Sequence, residues 1–326
     1  YRRLIAALPD ERAVDAWASP VGIRRLLAPA GGVVGALGAA LDRTGSEGAA
    51  IAVSPRDDDG VAIAVRTRGT PGGGRGFEPD DAAPVAPADA IATLVTADPF
   101  GAITRLARMV GSGERGTTAA LVDGLPSTLR RIDRLVDGRL RRDIAGAVTG
   151  PSEVMALASP RGPAIVAVVP VTDGRRAART LRTVRDRLAD ALNEPGSRRR
   201  FREGHVAGRR TWTLRVGSRG RVGYLRDGNR ILFYTDPSAA AAVLTASERL
   251  ADGDDWARLR EDGSNLHMSV GFAEFSRLRV EAERSGIATV PEYRTVRRDL
   301  GRLRAITLRA RARDRETSTD LDLWIR

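Results

Sequence analysis

The sequence predicts an α+β fold of repeated strand–helix–β-hairpin units. These would form one long or two coupled antiparallel sheets, packed by helices on one face. Three observations predict it. Residues 45–56 and 150–161 read alike, each running Ser-Glu, a short apolar strand, then Ser-Pro-Arg. Each is followed by a turn and a second apolar stretch, Val61–Val65 in one case and Ala164–Val169 in the other. Residues 304–326 alternate apolar and polar side chains with period two, which marks a sheet with unlike faces.

The elements follow in chain order. Ala13–Ala18 reads as a strand and leads through Pro20 into a helix over Val21–Leu41, rich in small residues. In the first hairpin Pro55 is expected to end the strand, because proline cannot donate to a ladder, and Asp57–Gly60 supplies the turn. Gly69–Pro87, rich in Gly, Pro and Asp, reads as a disordered linker. Ala90–Thr96 is a second lone strand. Asp98 and Pro99 are suited to start a helix over Phe100–Val110, and a further helix is predicted over Thr118–Arg142. The second hairpin follows, with Pro160 ending its first strand and Gly162-Pro163 turning the chain.

Asp173–Leu192 is amphipathic, with Ala177, Leu181, Val184, Leu188 and Leu192 spaced by three or four. A meander over Arg209–Val216, Arg221–Arg226 and Arg230–Thr235 turns tightly at Asp227–Asn229. Asp236-Pro237 caps a short helix, Ser238–Ala246, and Trp256–Arg260 reads as another. Asn265–Val270 is a third lone strand, followed by a helix over Phe272–Glu283 and a hairpin of Arg304–Arg313 with Thr317–Arg326. In that hairpin Ile306, Leu308, Ala310 and Ala312 are assigned to the buried face. A turn at Asp314–Thr317 would set Arg311 against Asp320 and Arg309 against Asp322 as pairs on the wet face. The divisions expected are 1–87, 88–250 and 251–326.

Composition narrows the chemistry. Neither cysteine nor lysine occurs in the 326 residues, and there are two histidines. That excludes disulfides, thiolate metal sites, a cysteine nucleophile, a Schiff-base lysine and the P-loop lysine. No apolar run is long enough to span a bilayer as a helix. The formal charge of +12 points to nucleic acid, anionic lipid or an acidic polymer as partner. An arginine-only basic set in an Ala- and Gly-rich chain also reads as the codon bias of a GC-rich genome, which would leave many surface arginines without a dedicated partner.

His205 reads as an exposed strand-edge residue and His267 as a sheet-surface residue beside Asn265 and Ser269. Gly72–Gly76 lacks the strand-to-helix setting of a phosphate loop, and Asp57–Gly60 lacks the spacing of a calcium loop. No catalytic residues, metal site or cofactor are expected. One cluster stands out: Arg198, Arg199, Arg200, Arg202, Arg209 and Arg210, with Phe201 and Trp212 nearby and Glu203 opposing. Arginine interleaved with aromatics suits nucleic acid, lipid headgroups or an acidic envelope polymer, and also a solvated strand edge.

Three stretches together resemble a family of bacterial envelope proteins known only as a domain of unknown function. They are Ala7–Asp10 with Val14–Trp17, then Asp143–Gly146 with Ser152–Leu157, Ala164–Pro170 and Asp173, and Arg226–Pro237 with Leu250–Asp252. The resemblance implies export and a membrane or lipid anchor upstream of Tyr1, and it carries no catalytic residues. The function expected is a non-enzymatic binding or scaffold protein of the envelope, holding an apolar or anionic ligand. Its partners would be lipid, an acidic polymer or an envelope protein. The alternatives are nucleic-acid binding through the arginine cluster, or a hydrolase whose site is assembled from distant strands.

Overall fold

The computed structural model describes residues 2–22, 47–56, 60–69, 76–78, 83–97, 99, 147–160, 162–192, 199–216, 220–260, 266–284, 287–289, 291–313 and 315–325. The helices predicted over Val21–Leu41, Phe100–Val110 and Thr118–Arg142, the cap Asp98 and the candidate Arg198 lie outside these residues, Val21 and Gly22 excepted.

The strands are β1 (Val14–Ala18), β2 (Gly48–Arg56), β3 (Gly60–Arg68), β4 (Ala92–Thr96), β5 (Ser152–Leu157), β6 (Ala164–Pro170), β7 (Arg202–Val206), β8 (Arg209–Val216), β9 (Gly220–Asp227), β10 (Arg230–Tyr234), β11 (Ser269–Glu274), β12 (Leu303–Arg313) and β13 (Glu316–Ile325). They form one antiparallel sheet of 13 strands, ordered β1-β2-β3-β13-β12-β11-β4-β5-β6-β10-β9-β8-β7. The chain is therefore α+β and mostly sheet. At ordinary strand spacing the sheet is roughly 60 Å across. Among the described residues the helices longer than a single turn are α1 (Arg2–Ala6), α2 (Gly174–Leu192), α3 (Pro237–Thr245), α4 (Asp254–Arg260), α5 (Phe275–Arg284) and α6 (Pro291–Leu300).

Local chemistry explains the elements. Asp173 accepts the Arg175 and Arg176 N–H groups at 2.8 and 3.0 Å, capping α2. Asp236 caps α3 through Ser238, with Pro237 in the first turn. The β7–β8 turn uses Ala207 and Gly208 at φ 45° and 75°, as a two-residue loop matched to strand twist requires. The strand it closes, β7, is expected from the sequence only around His205, since Arg202–Val206 carries no apolar run to mark its full extent. It forms one edge of the sheet, where its charged side chains blunt further pairing.

Helices cover both faces, not one. On the first face α3 and α4 bury Ala239, Ala240, Val243, Trp256 and Leu259 against Met155, Val166, Val168, Leu225 and Leu232. Further along that face Leu4 and Leu8 meet Ala50, Ala52 and Ala64. On the second face α2 buries Leu181 against Val169, Tyr224 and Ile231. Alternation makes this possible: β6, β9 and β10 are apolar on both sides, as strands covered twice must be.

Four local expectations are corrected. Pro55 lies within β2, opposite Val61. The carbonyl of Val53 accepts from Ala13 on the β1 side, so the Pro55 nitrogen faces that side beyond the start of β1, where no donor is needed. The predicted linker is anchored at its described residues. Phe77 bridges His267, and Pro87 bridges Arg249. The third lone strand begins at Ser269, not Asn265, and its helix at Phe275, not Phe272. The Met268 N–H donates to the Ala310 carbonyl, while Ser269 is the Cα partner of Ala310. Two residues thus oppose one, a bulge that resets the alternation. His267 is accordingly buried rather than on the sheet surface.

The last hairpin is also two residues tighter than expected. Arg313 pairs with Glu316, which sets Arg309 opposite Asp320 and Thr307 opposite Asp322. The faces are inverted. Thr307, Arg309 and Asp322 are buried, whereas Ile306, Leu308 and Ala310 are half-buried.

Candidate functional site

Cross-strand register places one row of side chains on the second face. It runs Val53, Ile63, Leu321, Leu308, Gly271, Leu94, Val154, Ala167, Phe233, Tyr224 and Trp212, from β2 to β8. Every member is apolar or aromatic, or glycine. Beside it runs a second row of Pro55, Val61, Leu323, Ile306, Ala273, Ala92, Ala156 and Ile165. From Val53 to Phe233 the side chains of the first row are half-buried. The row ends beneath α2, where Tyr224 is fully enclosed. A third row, Ser269, Thr96 and Ser152, is polar and buried, with Ser269 donating to Thr96 at 2.9 Å.

The enclosed end of the first row is aromatic and cationic. Tyr224 stands edge-on to Phe201, with ring centroids 5.8 Å apart, and lies 6.4 Å from Phe233. Arg185 of α2 lies 4.2 Å from the Trp212 ring centroid, and Arg210 lies 5.4 Å from it. Burial pushes the Tyr224 hydroxyl above its ordinary pKa, with the Arg185 and Arg182 charges opposing, so it is a neutral donor.

The arginines singled out in the sequence are divided by the sheet. Arg202 and Arg209 project from the first face, and Arg210 and Trp212 from the second. Arg200 pairs with Asp190, Arg209 with Asp227 at 3.0 Å, and Arg210 with Glu203, whose carboxyl that hydrogen bond holds below the usual range. Arg199 and Arg202 are exposed. His205 is exposed on edge strand β7. Of the described cluster residues, Arg210, Trp212 and Phe201 reach the aromatic end of the row. Arg185 was missed because it breaks the apolar stripe of α2. Its spacing of four from Leu181, toward the sheet, was the available signal.

On the first face a charged seam lies between the two apolar clusters. Asp322 accepts from Arg309 at 2.7 Å, from Arg56 at 2.9 Å and from Thr307 at 3.2 Å. Arg66 pairs with Asp320 at 2.6 Å. Farther along, Glu153 accepts from the Val85 and Ala86 N–H groups at 2.6 and 3.1 Å and from the Thr93 hydroxyl at 2.7 Å. Burial raises its pKa, and these hydrogen bonds and the Arg249 charge oppose the rise. Burial, then the Arg311 charge, keeps the His267 imidazole below its ordinary range, hence neutral. These groups tie the strands to one another and to the segment around Val85 and Ala86. Among the described residues no three His, Cys, Asp or Glu gather as metal ligands, and no helix is long and apolar enough to cross a membrane.

The chain matches no protein-family model, no curated protein and no solved structure.

Proposed function

We propose that the protein is a non-enzymatic binding protein of the bacterial cell envelope. It holds the apolar tail of an amphiphilic ligand along the half-buried rows on the second face of its sheet. The observation that carries this reading is the continuity of the first row over eleven neighbouring strands without a charged or polar aliphatic side chain. An ordinary sheet face open to water alternates toward polar residues, and a contiguous apolar surface this long marks a binding face. The envelope setting rests on the resemblance of Ala7–Trp17, Asp143–Asp173 and Arg226–Asp252 to an envelope family.

The described arginines of the cluster offer no single basic face, because those on β7 and β8 are split by the sheet and Arg200, Arg209 and Arg210 are ion-paired. That weighs against nucleic acid as the partner.

The test is organic extraction of the purified chain followed by mass spectrometry, together with uptake of a fluorescent long-chain acyl probe. Leu308→Glu places a charge mid-row at a half-buried position, and circular dichroism checks its fold. The expected result is a co-purifying amphiphile in the parent and at least a tenfold loss of probe affinity in the variant. A parent that is empty and takes up no probe overturns the reading.

A further inference from the structure

We infer that Arg185 and Tyr224 form an oxyanion-binding pair that receives the acidic head of the ligand whose tail lies on the row, an inference that rests on the reading proposed above.

Arg185 Nη1 and Tyr224 Oη are both closed off from water, and neither has a hydrogen-bond partner. Tyr224 is 5% exposed as a residue. A buried donor left without an acceptor costs about 1–3 kcal/mol, and native structures leave few such donors. Their neighbours explain why no protein acceptor serves them. Tyr224 is bounded by Phe201, Phe233 and its cross-strand partner Trp212, which bring ring edges and faces. Arg185 lies against the Trp212 ring, which steadies the guanidinium while leaving its N–H groups to point elsewhere. Both side chains border Trp212: Arg185 lies over its ring and Tyr224 is its cross-strand neighbour. Glu203, an acid whose charge bears on Arg185, is engaged by Arg210.

Two neutral-to-cationic donors without an acid between them call for an anionic acceptor. A carboxylate suits them: one oxygen takes the guanidinium N–H and the other the phenol O–H. Charge-assisted hydrogen bonds of this kind are strong where water is excluded. The apolar row leaves this point through Phe233, Ala167, Val154 and Leu94, so a head bound here directs its tail along the half-buried face. The ligand class is thus a long-chain acid. A free phosphate ion shares the head chemistry without the tail.

The experiment uses the full chain and three probes: oleate, oleyl alcohol and inorganic phosphate. Binding is followed by tryptophan fluorescence and calorimetry, in the parent and in Tyr224→Phe and Arg185→Met. Tyr224→Phe keeps the ring packing, and circular dichroism checks the fold of each. The expected result is that oleate binds at least tenfold more tightly than oleyl alcohol to the parent. Each substitution should remove that difference and leave the alcohol unchanged. If oleate and alcohol bind equally and neither variant matters, the head site is overturned while the apolar face stands. If phosphate binds and both substitutions abolish it, but oleate and alcohol do not bind, the oxyanion pair stands as a site for a free ion, and its link to a tail is overturned. If no probe binds, both readings fall.

Discussion

At the scale of the residue, Asp322 shows how a surface-looking charge becomes structural. It is buried, and it gathers Arg309 and Arg56 around itself. Removing one partner of a buried pair costs far more than removing both, because the charge left behind is poorly solvated. Asp322→Asn is therefore expected to destabilise by about 3 kcal/mol, as Arg56 and Arg309 then face one another. Arg309→Met with Asp322→Leu should recover most of that loss. Chemical denaturation of the three proteins checks the order; a double variant no better than the single one would contradict it.

Glu153 is the second such residue, and it carries a pH signature. The carboxyl titrates near 4.5 when unfolded and higher in the folded chain, burial being the main cause. A native state that holds its proton more tightly is favoured at low pH. This stability is fully present below pH 4.5 and is lost as pH rises through the folded value. Against Glu153→Gln, which does not titrate, the parent is expected to lose ground as pH rises above 4.5 and to level off above the folded value. Parallel unfolding curves across that range would show the carboxyl to be unshifted. Ser-Glu opens both of the repeated segments, yet Glu47 lies outside β2, largely exposed, and pairs with Arg68 and Arg315. The likeness located two hairpins without making their glutamates equivalent.

At the scale of the element, the hairpins were legible because period-two alternation and turn residues act locally. Residues β-paired within a few positions of a turn have their register set by that turn. The C-terminal hairpin shows the limit. A loop shorter by two residues moved every cross-strand partner, and the sequence allows either length. The meander carries its own test at Gly223, which pairs with Tyr234. The Tyr234 ring lies across the glycine, and its hydroxyl meets the Thr211 and Thr213 hydroxyls. A Cβ there would strike the ring. Gly223→Val is expected to displace Tyr234 and cost about 2 kcal/mol or more, by overpacking and by loss of a buried hydrogen bond. Thermal unfolding measures it, and an unchanged midpoint would show that the ring moves aside freely.

At the scale of the whole molecule, the sheet order is the property no local pattern contains. β11 and the C-terminal hairpin insert between β3 and β4, so strands from the last part of the chain join two stretches from its first half. The apolar row exists only because of that insertion. Leu321 and Leu308 bridge Ile63 to Leu94 through Gly271, residues far apart along the chain. Each contributing strand looks unremarkable alone. Loss of probe binding on charging Leu308 is accordingly a test of the assembled face, not of one hairpin.

The sequence by itself determined the α+β class, most hairpin and meander strands, and helices such as α2 and α3, because periodicity, caps and turn chemistry operate over a few residues. It also determined which chemistries are closed, since missing residue types cannot be supplied by folding. Tertiary structure alone decided which face of each strand is buried, how the strands are ordered, and where Arg185 meets Tyr224. Burial depends on what covers a face, and coverage comes from elements distant in sequence. The charged side of β12 became interior and its apolar side half-open for that reason.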